Sequence, residues 1–150
     1  MVNFLDTDLG KIAFNAKKLS DAIAWYTALD ENTKSFILGL IKNDQLSKGI
    51  DAQGDTIGLY SYWTEIISEG RKQEGTPYNL YDTGAFYNSL RIIISGLSFI
   101  VEGNGQKDDE NLFVKYGDDI VGLTNESLEK LAQELLPKYI NYVREILQIG

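Results

Sequence analysis

One stretch of the chain constrains the rest more than any other. Leu128, Leu131, Leu135, Tyr139, Val143 and Ile146 recur at helical spacing behind Thr124 or Asn125, either of which can cap, so the C-terminal part forms one long amphipathic helix. Pro137 falls inside it and cannot donate to the carbonyl of Gln133, which predicts a kink there. An apolar stripe of that length needs cover from elsewhere in the chain. The clearest candidate is a small antiparallel sheet. Arg91–Ser95 and residues 97–102 are rich in β-branched and aromatic side chains, and Ser95-Gly96 between them reads as a tight hairpin turn. Residues 103–111 make a glycine- and charge-rich tip, after which Leu112–Tyr116 is read as a returning third strand.

The N-terminal part is helical as well. Leu19, Ile23 and Tyr26 share one stripe, and Asp30 can cap a following helix whose apolar face is Phe36, Ile37, Leu40 and Ile41. Nothing between the two forces a break, so they form one helix or a pair. Residues 48–60 lose the helical period and carry Gly49, Gly54 and Gly58 with Asp51 and Asp55, an irregular loop. Residues 60–67 fit a short helix or a strand, and the polar stretch 70–78 reads as an exposed loop. The expected class is α+β: an N-terminal helix or helix pair, a small antiparallel sheet built on a central hairpin, and the long C-terminal helix packed on it. With 150 residues this is one domain.

Composition narrows the chemistry. With no cysteine and no histidine, thiolate chemistry, disulfides and the commonest transition-metal ligands are excluded, and no metal or cofactor is expected. Asp and Glu outnumber Lys and Arg by 22 to 14, and a net charge of −8 disfavours nucleic-acid and anionic membrane surfaces. Met1-Val2-Asn3-Phe4-Leu5-Asp6 lacks the basic start and apolar run of a signal peptide, and no window approaches the ~18 apolar residues of a membrane span. The expected location is the cytoplasm in which the chain is made.

Leu80-Tyr81-Asp82-Thr83-Gly84-Ala85 contains the Asp-Thr-Gly-Ala string of aspartic proteases. Two copies meeting on an axis could pair their Asp82 carboxyls to activate water, and Ile120-Val121-Gly122 loosely imitates a downstream protease segment. That reading is the alternative, because such proteases are almost all β and about half of this chain reads as helix. As a turn, Asp82 and Thr83 would satisfy backbone donors while Gly84 takes angles other residues avoid. Asp108-Asp109-Glu110 lacks the alternating ligands of a calcium loop, and Gly103-Asn104-Gly105 lacks the lysine of a phosphate cradle. The dense aromatics Tyr60, Tyr62, Trp63, Tyr78, Tyr81, Phe86 and Tyr87 divide about evenly between core and protein interface.

The order of several weak motifs resembles the virion-morphogenesis family of tail-completion and neck proteins of tailed bacteriophages. A helix ends at Gln45-Leu46, followed by Gly49-Ile50-Asp51-Ala52-Gln53-Gly54, Leu59-Tyr60-Ser61 with Thr64, a basic polar loop, Asp82-Thr83-Gly84 and Asn88-Ser89-Leu90. A hairpin, Tyr116-Gly117 and Gly122-Leu123-Thr124 complete the series, so the resemblance covers roughly residues 35–147. It departs at Asp118-Asp119-Ile120-Val121, where the family often carries proline and arginine, and residues 1–30 read as an added arm or extra helix. The resemblance implies a mechanical role in the virion, as a ring or docked to a ring between portal and tail. Portal, connector or tail subunits would be the partners. The interaction residues it singles out lie in and beside the two extended loops: Arg71, Lys72, Tyr78, Asp82, Asp108, Asp109 and Tyr116. An acidic inner surface carrying Asp108 and Asp109 would let DNA slide past without sticking.

Overall fold

The computed structural model describes residues 7–150, so the signal-peptide reading of the first six residues lies outside the described part. The elements in chain order are α1 (Asp8–Ala16), α2 (Asp21–Ala28), α3 (Glu31–Gly39), α4 (Tyr62–Ile67), α5 (Ala85–Ser89), β1 (Arg91–Ser95), β2 (Ser98–Glu102), β3 (Gln106–Lys107), β4 (Glu110–Asn111), α6 (Leu112–Tyr116) and α7 (Asn125–Leu147). The architecture is mixed α+β with a long C-terminal helix and small antiparallel ladders, the expected class.

Polar caps set the helix starts. Thr7, Ser20, Asp30 and Thr124 each hold extended backbone and accept a hydrogen bond from an N–H of the first turn, through α1, α2, α3 and α7 respectively. Asp30 therefore does divide the N-terminal segment, and residues 19–41 are not one helix. The 23-residue α7 runs through Pro137 without interruption and packs against α1, α2 and α3. Leu131 is buried and Leu135 partly so, joining the core that holds the inner face of the hairpin. Leu128 and Tyr139 of the expected stripe are instead exposed, while Tyr142, outside that stripe, is buried. Its hydroxyl donates to the Ser20 carbonyl at 3.4 Å and accepts from the Ser20 N–H at 3.3 Å, tying α7 to the start of α2.

The face chosen by α2 corrects the sequence reading. Leu19, Ile23 and Tyr26 point outward, Tyr26 with 70% of its surface exposed, while Ala24 at 2%, Ala28 and Leu29 are buried. Alanines on the inner side allow the backbones of α2 and α7 to approach closely, and the larger residues are left outside. Of the residues 1–30 read as an added arm or extra helix, the described part from Asp8 onward forms two helices laid on α7. The α3 stripe is as expected, with Ile37, Leu40 and Ile41 buried and Phe36 packed against the core. Beyond α3 the helix widens into a π-type turn at Leu40–Gln45 and tightens at Leu46–Lys48 before Gly49 ends it.

Lys138 of α7 donates to Asp30 Oδ1 at 3.0 Å and also reaches the Thr33 hydroxyl. The Thr33 N–H and then Lys138 hold the Asp30 carboxyl down at about 2, against an ordinary 3.8. As pH falls the unfolded carboxyl protonates first, so this contribution is complete above the ordinary carboxylate range and disappears as pH drops from about 4 towards 2. Asp30→Asn keeps a capping oxygen and loses the charge. Its stability is expected to fall less steeply across that window than the wild type's in acid unfolding followed by circular dichroism; identical slopes would contradict this.

In the hairpin, β1 and β2 pair antiparallel with Ser95 opposite Ser98, leaving Gly96-Leu97 as a two-residue turn. Gly96 takes φ +59°, the left-handed region that a primed hairpin turn asks of its first central residue. Ile92, Ile94, Phe99 and Val101 face the core. Trp25 stacks on Phe99 with ring centroids 6.1 Å apart, and its indole N–H donates to the Ser98 carbonyl at 3.3 Å. Leu112–Tyr116 is not a third strand but α6, and the tip before it closes as the short β3–β4 ladder. The Asn111 side chain decides this, because its Oδ1 accepts from the N–H groups of both Phe113 and Val114 and starts a helix. Leu112 is then buried while Val114 stands 87% exposed. The departure segment Asp118–Val121 is a 3₁₀ turn with Ile120 and Val121 in the core.

Candidate interaction site

Two surface segments fold towards each other. Loop 70–78 turns back on residues 58–60: the Tyr60 N–H donates to the Thr76 carbonyl, the Gly75 N–H to the Tyr60 carbonyl, and the Tyr78 N–H to the Gly58 carbonyl at 2.7 Å. Opposite stand the β3–β4 tip and α6. Between them lies a cleft of about 490 Å³ lined by Tyr60, Thr64, Lys72, Tyr78, Lys107, Asp108, Asp109, Glu110, Lys115 and Tyr116, among others. Tyr60 and Tyr78 meet edge to face with centroids 4.8 Å apart, and Tyr78 lies 5.9 Å from Tyr116. Lys72 and Lys115 sit over the Tyr60 and Tyr116 rings at 5.5 and 5.4 Å.

Five residues singled out in the sequence, Lys72, Tyr78, Asp108, Asp109 and Tyr116, share this cleft. Asp82 lines an adjoining pocket of about 250 Å³ that shares Lys107 and Asp108 with it. Arg71 lies outside both, its Nε donating to the Ser68 carbonyl at 2.9 Å. Tyr60 enters the cleft from the aromatic group divided between core and interface, whereas Lys107 and Lys115 are cleft residues the sequence reading did not single out; their only signal was a position on either side of the acidic tip.

The sequence reading has both Asp82 and Thr83 satisfying turn donors, and for Asp82 the structure corrects it. Its carboxylate pairs with Lys107 at 3.1 Å, while Thr83 Oγ1 accepts from the Ala85 N–H and Gly84, at φ +84°, opens α5. Lys107, with smaller contributions from Lys72 and Arg71, holds the Asp82 carboxyl below the ordinary carboxylate range. The Glu110 bond raises Lys115, burial raises Tyr60, and burial pushes Tyr87 up to about 12. Every one of these shifts moves away from neutrality, whereas acid–base work near pH 7 asks for shifts towards it. Chemically the arrangement is a set of fixed charges of both signs over aromatic rings, suited to gripping a polar protein surface.

Other motif residues gather at a joint in the fold. Gln45, 1% exposed, donates from Nε2 to the Gly122 carbonyl at 2.7 Å and accepts the Thr124 N–H on Oε1 at 3.0 Å. The Ala52 N–H donates to the Asp119 carbonyl at 2.8 Å, and a Cβ on Gly122 would stand 2.6 Å from Ala52 Cβ. Asp51 Oδ1 accepts from the Gln53 and Asp55 N–H groups, closing the turn that Gly54 completes at φ +82°. The π-type turn that follows α3, the turn at residues 49–54 and the start of α7 are thereby locked together.

No family model, no curated protein and no solved structure matches the chain.

Proposed function

We propose that the chain is a structural protein of a tailed-phage particle, a tail-completion or neck component that forms a ring, or docks on one, between portal and tail. The observation that carries this reading is how the motif residues behind the resemblance are used. Gln45, Gly49, Asp51, Gly54, Gly122 and Thr124 make turns, close backbone approaches and a buried amide bridge. Such a pattern serves a rigid frame that presents loops. The mixed-charge cleft between loop 70–78 and the β3–β4 tip is the surface we assign to portal, connector or tail subunits. The product acts in the virion after synthesis in the cytoplasm of the bacterial host.

The Asp82 protease reading makes the opposite forecast for one substitution. In particles assembled without the chain, supplying Asp82→Asn in trans is expected to restore infectivity nearly as well as the wild-type chain, because only the Lys107 ion pair is lost. Loss of infectivity with a folded Asp82→Asn protein would favour the protease.

A further inference from the structure

Asn104-Gly105 is the one place in the sequence where asparagine precedes glycine. The pair usually serves a two-residue hairpin turn, which needs positive φ, and here neither residue has it. Each is fixed for a separate reason. A Cβ on Gly105 would stand 2.6 Å from the Phe113 ring, which is itself held edge to face against Phe86 at 5.8 Å, so only glycine fits. Asn104 is an exposed corner between β2 and β3. Its N–H donates to Ser89 Oγ at 2.8 Å, and its Oδ1 accepts the Gln106 N–H at 3.0 Å. That second bond closes an Asx turn, which folds the side-chain carbonyl back over the Gly105 peptide. The Gly105 N–H makes no hydrogen bond among the described residues, so no partner is lost when it reacts.

We propose that this corner is a self-modification site at which Asn104 deamidates through a cyclic imide, and that the fold promotes the reaction. Solvent hydroxide removes the Gly105 amide proton, and the nitrogen electron pair forms a bond to Asn104 Cγ. The second electron pair of the Cγ–Oδ1 double bond moves onto Oδ1. There the Gln106 N–H already points, and it stabilises the charge as a donor in an oxyanion hole does. Collapse breaks the Cγ–Nδ2 bond, and the nitrogen leaves as ammonia with a proton from water, which regenerates the hydroxide. Water then opens the five-membered ring. Cleaving the new Cγ–N bond leaves aspartate. Cleaving the bond from the main-chain carbonyl to the Gly105 nitrogen leaves isoaspartate, with the main chain rerouted through the side chain. Both products add a negative charge to the tip. Isoaspartate also inserts a methylene between two anchors of the tip, the bond from Asn104 to Ser89 and the 2.8 Å bond from the Leu112 N–H to the Gly105 carbonyl. The β3–β4 ladder hangs from those anchors, so the modified chain loses the tip as an ordered wall of the cleft. The chemistry is independent of the proposed virion role; under that role it limits how long an unassembled chain keeps its docking surface.

The experiment ages the purified chain at mildly alkaline pH, folded in buffer and unfolded in guanidinium side by side. Digestion in acid, where the reaction stops, is followed by mass spectrometry. Asn104 is expected to gain one mass unit, to yield isoaspartate and aspartate as separable peptides, and to convert in proportion to hydroxide concentration. It should outpace every other asparagine of the chain by about tenfold or more, since no other has glycine after it. With the Gln106 N–H in place, the folded chain should convert at least as fast as the unfolded one. Slower conversion in the folded chain would overturn the proposal, and so would aspartate without isoaspartate, the mark of direct hydrolysis. Asn104→Ser keeps an oxygen for the Gln106 N–H and cannot form the ring. Hydrogen exchange at the Leu112 amide should speed up at least several-fold as the wild type ages and stay constant in Asn104→Ser. Equal speeding in both would overturn the link between the modification and the loosened tip.

Discussion

Gly49→Ala is expected to destabilise the protein by about 3 kcal/mol, composed of roughly 1–2 kcal/mol for the left-handed backbone and a similar cost for forced overpacking. Gly49 holds φ +70°, and its added Cβ would lie 2.4 Å from Pro77 Cβ and 2.7 Å from the Tyr78 carbonyl oxygen. The first contact is with a rigid ring and the second with backbone, so neither can swing aside. The strain falls where the tight turn Leu46–Lys48 ends against loop 70–78. Gly54 supplies the control: it has φ +82° and nothing within 4 Å of an added Cβ, so Gly54→Ala should cost only about 1 kcal/mol. In urea unfolding the Gly49 midpoint should fall by on the order of 1–2 M with an unchanged slope. Equal shifts for the two variants would contradict the packing assigned to Gly49.

The second large effect belongs to Gln45. Replacing it by Leu preserves most of the buried volume but strands the Gly122 carbonyl and the Thr124 N–H, which its amide bridges. A buried polar group left unpaired costs about 1–3 kcal/mol, and both groups here are partly shielded, so a loss of about 3 kcal/mol is expected for Gln45→Leu. Thr124 caps α7, so the early turns of that helix should lose hydrogen-exchange protection first. A variant as stable as wild type would show that water replaces the bridge.

How legible the fold was depended on which forces are local. The starts of α3 and α7 follow from Asp30 and Thr124, and the hairpin from β-branched and aromatic residues on either side of Gly96, all properties of a few neighbouring residues. The face of α2 was not legible. Leu19, Ile23 and Tyr26 mark one stripe and Ala24 and Ala28 another, and only the close approach of α7 selects the alanines. Leu112–Tyr116 is short enough to fit a strand or a helix by pattern. The Asn111 cap that decides between them was present in the sequence but was outweighed by the preceding strands. In the candidate site, Lys72, Tyr78, Asp108 and Tyr116 stood out singly as loop charges and aromatics. Their sharing of one cleft depends on hydrogen bonds that fold loop 70–78 back onto residues 58–60, which no local pattern encodes. Gln45 was marked only as the end of a helix in the motif series, since a glutamine there becomes a bridge only once Gly122 and Thr124 arrive beside it.

The proposed role is tested most directly by quantitative mass spectrometry of purified particles from the source, comparing copies of this chain with copies of the portal subunit. The account predicts a fixed ratio, equal to the portal's copy number or a simple fraction of it. Absence of the chain from intact particles would contradict a structural place in the virion.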